Sequence, residues 1–255
     1  MKPSDFPDLK LTPFEMDVIC EACSRRGRGQ YESKSSLRHM GRAWALKETM
    51  PEVAVFLAIT AEEEAAAAIF KALLAKGYIG SSTLSRKRHP DKAGVSIFLR
   101  LLGEPLLKPL LDVGVKLDLF FQKCGDENRL KLQKKIPIEG MGFLPLVLDE
   151  PLCQVLVEKG GGSPDFSRKV KEVASNNNIE VIKKHIQKVA NERNFQLYSN
   201  GSSVPVEKSV DAKLEYYKSN SLLNLTVYIL LCQSKSFSLV QELLSAYVAV
   251  LKDDG

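Results

Sequence analysis

The stretch PEVAVFLAITAEEEAAAAIFKALLAKG, residues 51–77, decides the fold. Pro51 suits the first helical position, where no amide hydrogen is needed, and the Ala, Leu and Glu that follow have strong helix propensity. Lys76-Gly77 supplies the stop. The spacing predicts one helix of roughly twenty-six residues, about 39 Å long. On a 3.6-residue period Glu62 falls in line with Val55, Ala58, Ile59, Ala66, Ile69 and Leu73, and Glu63 with Phe56, Ile59, Phe70 and Leu74. Adjacent carboxylates therefore sit on or beside the apolar face, while Glu64 aligns with Thr60 and Lys71 toward the polar side.

A carboxylate facing a core must be paired, hydrogen-bonded or protonated, because an isolated charge stripped of water is costly. Arg38, His39 and Arg42 on the preceding segment form one candidate set of partners. His89 and Lys92, spaced to share one face at the start of the next helix, form the other. Three arrangements satisfy this pattern. The carboxylates belong to an ion pair that fixes helix register, to a polar catalytic or binding cleft built from Glu62, Glu63, Arg42, His89 and Lys92, or to an exposed face.

Working outward, Thr12-Pro13-Phe14-Glu15 reads as a helix start with a capping box, and that helix stops near Gly27. Ser35 or Ser36 is positioned to cap a second helix through about Thr49. Downstream of Tyr78–Arg88, Val95, Ile97, Phe98, Leu101 and Leu102 predict a helix that bends near Gly103 and Pro105 and continues through Leu117 and Phe121. Between Leu130 and Leu148 apolar residues alternate with charges, consistent with a small hairpin or extended lid, although Pro argues against a central strand there. After Gly160-Gly161-Gly162, helices are expected at 164–175, 179–197, 209–233 and 237–252. The expected fold is all-α: a helical bundle over 1–125, a short irregular or β-hairpin insertion around 130–160 within a segment 126–162, and a helical block over 163–255 that packs on the first.

Composition agrees with this. In 255 residues, aromatics at 7% with 16 Gly and 12 Pro disfavour a sandwich or barrel, and 44% hydrophobic residues exclude a disordered chain. The net charge of +5 is too small to prove a polyanionic partner. Its placement is more informative, with one basic cluster from Arg25 to Lys47 that includes Arg38 and Arg42, and a second of Arg86, Lys87, Arg88 and Lys92. Such clusters suit phosphate contacts or a solvated surface. Five Cys without framework spacing point to a reducing cytoplasm, and neither a signal core nor a membrane-spanning stretch is evident.

Other chemistry is poorly supported. Cys20 and Cys23 form a single C-x-x-C and read as ordinary thiols. No residue three after Glu62, Glu63 or Glu64 is His, so no di-metal carboxylate motif is present. Walker, G-x-G-x-x-G and G-x-S-x-G patterns are absent as well. No metal and no cofactor is expected. His185, on a Lys-rich helix, reads as solvent-facing.

The run LRHMGRAWALKETMPEVAVFLAITAEEEAAAAIFKALLAKGY, Leu37–Tyr78, followed by His89-Pro90-Asp91-Lys92, resembles the AbiV-type abortive-infection proteins of the HEPN superfamily. In that family a helix with paired acidic residues precedes a loop and an H-x-x-K-like segment, and Glu62-Glu63 with His89 and Lys92 match the pattern. The resemblance implies an all-α fold, a bacterial antiphage role, action on RNA or another nucleotide-bearing target, and a homodimer. On this reading Glu62, Glu63 and His89 are the candidate catalytic residues, and the two basic clusters, with Lys92 of the matched segment, supply Arg38, Arg42, Arg86, Arg88 and Lys92 as candidate binding residues. Many HEPN ribonucleases carry R-x4-6-H, which this sequence lacks, and Glu64 and Ala65 follow the acidic pair where the AbiV pattern usually has Gly-Lys. The alternative function is a non-catalytic helical interaction or regulatory protein that docks a partner through the segment near Lys135–Gly162.

Overall fold

A computed structural model describes residues 9–151, 179–197 and 209–252. The helices are α1 Pro13–Ser24, α2 Gln30–Leu46, α3 Pro51–Ala75, α4 His89–Ala93, α5 Val95–Leu111, α6 Ile179–Leu197, α7 Val210–Gln233 and α8 Ser238–Lys252. Strands β1 Lys116–Cys124, β2 Glu127–Ile138 and β3 Gly142–Leu148 form an antiparallel sheet in that order. The described residues are thus mostly helical with a small β insertion. None of their helices is long and apolar enough to cross a membrane.

Helix α1 begins as its sequence dictates. Thr12 Oγ1 accepts from the Glu15 amide at 3.2 Å while the Glu15 carboxylate accepts from the Thr12 amide at 2.7 Å. Helix α2 starts earlier than its serines suggested. Gly29 takes a φ of +94° and lies against α3 and α7, where a Cβ would stand 2.8 Å from the Ala68 carbonyl oxygen and 2.7 Å from the Tyr228 ring. The tight approach at Gly29, rather than a serine cap, sets the start. Ser33 and Ser36 are buried inside the helix, and Ser33 donates to the Ala22 carbonyl at 3.2 Å.

The long helix α3 spans Pro51–Ala75 and packs most extensively against α2 and α7. Its run of Ala permits close approach on several sides, so Ala61, Ala65, Ala66, Ala67 and Ala68 are all buried. From Asn220 to Leu231 no residue of α7 is exposed either. One hydrophobic cluster joins Leu37 and Met40 of α2, Val55 and Ile59 of α3, Phe98 of α5, Leu225 and Ile229 of α7, and Leu244 of α8. The helices on either side of the β insertion therefore share a core.

Two expectations near the insertion are corrected. Helix α5 does run past Gly103 and Pro105, but it ends before Gly114, whose φ is +77°; Leu117 and Phe121 lie in β1, not in a continued helix. The alternation in KLDLFFQKC suits a strand, and Phe121 packs on Phe14 of α1 with ring centroids 5.9 Å apart. Second, β2 is a central strand despite Pro137. The β1 ladder ends at Lys116↔Lys135, so Pro137 pairs only with Phe143 of β3, where β2 has no other neighbour to need its missing donor. Pro145 lies on β3, an edge strand. The expected helix at 164–175 and the Gly160–Gly162 hinge lie outside the described residues.

Candidate functional site

Glu62 and Glu63 are each 2% exposed, so the helical period placed both correctly. Being adjacent on α3 they point about 100° apart and enter different networks. Glu63 faces α4 and α6. Its Oε2 lies 2.8 Å from His89 Nδ1 and 3.0 Å from Lys92 Nζ, and its Oε1 lies 3.9 Å from Arg193 Nε. Arg193 Nη1 is 2.9 Å from His89 Nε2. Arginine offers only donors, so Nε2 accepts and the ring proton is assigned to Nδ1, which donates to Glu63. The Arg193 guanidinium carbon sits over the Phe56 ring, 4.9 Å from its centroid, a cation–π contact that favours this position.

Helix α4 is short, yet its position is well determined. The Asp91 carboxylate accepts from the Ser85 amide at 2.8 Å, and the Asp91 carbonyl accepts from the Tyr247 hydroxyl at 2.8 Å. Arg88 adds an ion pair to Asp91 at 3.4 Å. These bonds fix the backbone from which His89 and Lys92 project. The His89 side chain is 43% exposed, whereas those of Glu63 and Lys92 are 3% and 5% exposed. One carboxylate thus faces the Lys92 ammonium and the Arg193 guanidinium beside an accessible imidazole.

Glu62 faces α5 and α7. Ser96 Oγ donates to its Oε1. Arg100 Nε donates to Asn220 Oδ1 at 3.1 Å, and Arg100 Nη2 donates to Ser219 Oγ at 2.9 Å. Burial pushes the Glu62 carboxyl up to about 7, against the opposing pull of Ser96 and the nearby Asn220 amide. The Asn220 amide nitrogen itself closes no hydrogen bond. Glu62 is enclosed, and its neighbours suit it to holding α3, α5 and α7 together.

The other basic candidates lie elsewhere. Arg38 and Arg42 are exposed on α2, and neither they nor His39 pairs with Glu62 or Glu63, so Arg42 does not join the acidic pair as expected, and Glu62 does not share the network of His89 and Lys92. Arg86 pairs at 3.5 Å with Glu32 of α2, and Arg88 serves Asp91. Glu64 is only partly buried, as its period indicated. Cys20 is exposed and Cys23 partly buried, and neither forms a disulfide among the described residues. Among the described residues no group of three or more His, Cys, Asp or Glu converges to hold a metal.

Arg193, Ser96 and Asn220 escaped the sequence reading. Arg193 follows Ile186 and Val189 at seven and four residues, so a cation on an apolar helical stripe was a visible signal. Its partner was not visible, because 104 residues separate it from His89. His185 also departs from expectation. It is partly buried, with its ring 6.5 Å from that of Tyr216, and burial followed by the charge of Lys188 lowers its pKa. It borders a cleft of about 680 Å³ between α6 and α7. No family model, curated protein or solved structure matches the chain.

Proposed function

We propose that this chain acts on RNA or another nucleotide-bearing target, with His89 as its proton-transferring group. The carrying observation is an accessible imidazole held at Nδ1 by a buried carboxylate, 2.8 Å away, and faced at Nε2 by Arg193 at 2.9 Å. A fixed Nδ1–H leaves Nε2 as the base. At rest Arg193 donates to that nitrogen. A phosphate oxygen is a charged acceptor and a stronger partner for a guanidinium, so bound phosphate draws Arg193 away and frees the lone pair.

On RNA, Nε2 then takes the proton of a 2′-hydroxyl, whose oxygen attacks the adjacent phosphorus. The bond from phosphorus to the 5′-oxygen breaks, and solvent protonates the leaving oxygen. Arg193 offsets the charge on the phosphorane directly, and Lys92 adds positive potential from behind Glu63. The arginine sought next to a histidine in sequence is supplied here from α6. The biological setting adopted with this reading is the one the resemblance implies, bacterial antiphage defence in the cytoplasm.

Incubating the purified protein with total RNA and tRNA tests the proposal. His89→Ala should reduce cleavage by roughly 10²–10⁴-fold, the range for a lost general base, and Glu63→Gln should also reduce it. Absence of cleavage by the parent protein, or cleavage untouched by both substitutions, sinks the assignment.

A second reading, a non-catalytic interaction protein, has its own support. The β2–β3 hairpin exposes Met141 at its turn and Phe143, Leu144, Leu146 and Val147 on both faces of the edge strand β3. A stoichiometric protein partner that survives nuclease and high salt, and is lost with Phe143→Asp, would favour it.

A further inference from the structure

We propose that the cleft between α6 and α7 takes an unstacked nucleobase next to the phosphate handled at His89, an inference that rests on the reading of His89 above. The cleft holds about 680 Å³ and is lined by aromatic rings and lysines: His185, Lys188, Lys213, Tyr216 and Tyr217, with Glu192 as the one carboxylate. That volume falls within the range for small-ligand sites.

Tyr216 is 42% exposed, and its ring is braced edge-on by Tyr217, with centroids 5.1 Å apart at 79°. Tyr217 is itself buried and donates its hydroxyl to Glu192 at 2.8 Å. The platform is therefore rigid before any ligand arrives. His185 presents a second ring, whose pKa is lowered by burial and then by Lys188. Its buried Nε2 has no hydrogen-bond partner among the described residues.

Charge in the cleft favours a polyanion. The Glu192 carboxylate is engaged by Tyr217 and by Lys213 at 2.5 Å, which offsets its repulsion of a phosphate, and Lys188 is exposed. Aromatic faces among cations suit the common π-face of nucleobases and the backbone that carries them. A duplex keeps its bases stacked and offers no such face. Glu192, on the cleft wall, and Arg193, beside His89, are consecutive on α6, so their side chains leave the helix about 100° apart. From Cα atoms about 3.8 Å apart the two side chains mark the ends of a short path around α6, along which one strand would carry its phosphate at Arg193 and its base toward the cleft.

The test uses a fluorescein-labelled 2′-O-methyl oligoribonucleotide, which cannot undergo 2′-hydroxyl attack, with binding read by anisotropy. Base stacking is worth about 1–3 kcal/mol. Tyr216→Ala should therefore weaken binding roughly five- to hundredfold, and Tyr216→Phe should stay within about twofold because it keeps the ring. AMP should compete, whereas a duplex of the same sequence should not. Binding of AMP, read by isothermal titration calorimetry, with no binding of the strand would assign the cleft to free nucleotides and overturn the strand arrangement. Tyr216→Ala binding equal to the parent protein, or no binding of either probe, overturns the inference. His89→Ala separates the two readings. Strand binding that depends on Tyr216 without RNA cleavage keeps the cleft and removes the catalytic role; His89-dependent cleavage with Tyr216-independent binding does the reverse.

Discussion

Replacing Lys92 by Met removes one partner of a buried ion pair while keeping an unbranched side chain of similar length. Lys92 Nζ lies 3.0 Å from Glu63 Oε2, with the two side chains 5% and 3% exposed. At an effective dielectric of about 20, unit charges at that separation attract by about 5.5 kcal/mol. Relief from desolvating the ammonium offsets part of that loss, and removing one member of a buried pair costs about 3–5 kcal/mol. Glu63 retains His89 and Arg193, which places Lys92→Met near the lower end, at about 3 kcal/mol. For a chain of this size that is a fall in Tm of about 6–12 °C. Adding Glu63→Gln removes the stranded charge, so the double variant should recover about 2 kcal/mol relative to the sum of the single effects. Urea unfolding followed by far-ultraviolet circular dichroism measures all terms of the cycle. A single-variant loss below about 1 kcal/mol, together with additivity within about 0.5 kcal/mol, would refute the buried-pair reasoning.

The Glu62 carboxyl, raised from 4.5 to about 7 in the fold, links stability to pH. Between those values the folded state holds a proton that the unfolded chain releases, so the contribution of Glu62 to stability is greatest below about pH 4.5 and falls by about 3 kcal/mol as pH rises to about 7. Glu62→Gln should flatten this slope and be the more stable form at about pH 8; an unchanged slope in urea melts argues against a protonated Glu62. Gly29→Ala combines a left-handed backbone with close contact to Ala68 and Tyr228, and should cost about 2–4 kcal/mol. A Tm within about 1 °C of the parent protein would contradict that packing.

Much of the helical layout was legible locally. Thr12 and Glu15 are close enough in sequence to cap one another, and Pro51–Ala75 has one dominant preference along its length. The β-strand at Lys116–Cys124 was harder to see, because Leu117 and Phe121 satisfy a helical spacing as well as a strand alternation. Gly114 and the pairing of Leu117 with Lys134 and Phe121 with Leu130 decide between them. Likewise, the start of α2 depends on what Gly29 touches from α3 and α7, which no local cap preference encodes.

By itself the sequence determined that α3 turns two carboxylates inward, since helical period and apolar composition are properties of neighbouring residues. It also brought His89 and Lys92 forward as partners through their spacing. Only the tertiary structure decided that Glu63 takes both of them, that Glu62 goes instead to Ser96, and that Arg193 closes on His89 from 104 residues away. The physical reason is that a buried charge demands a partner without specifying which. That choice belongs to the packing of α4, α5, α6 and α7 around α3, where the distance along the chain no longer counts.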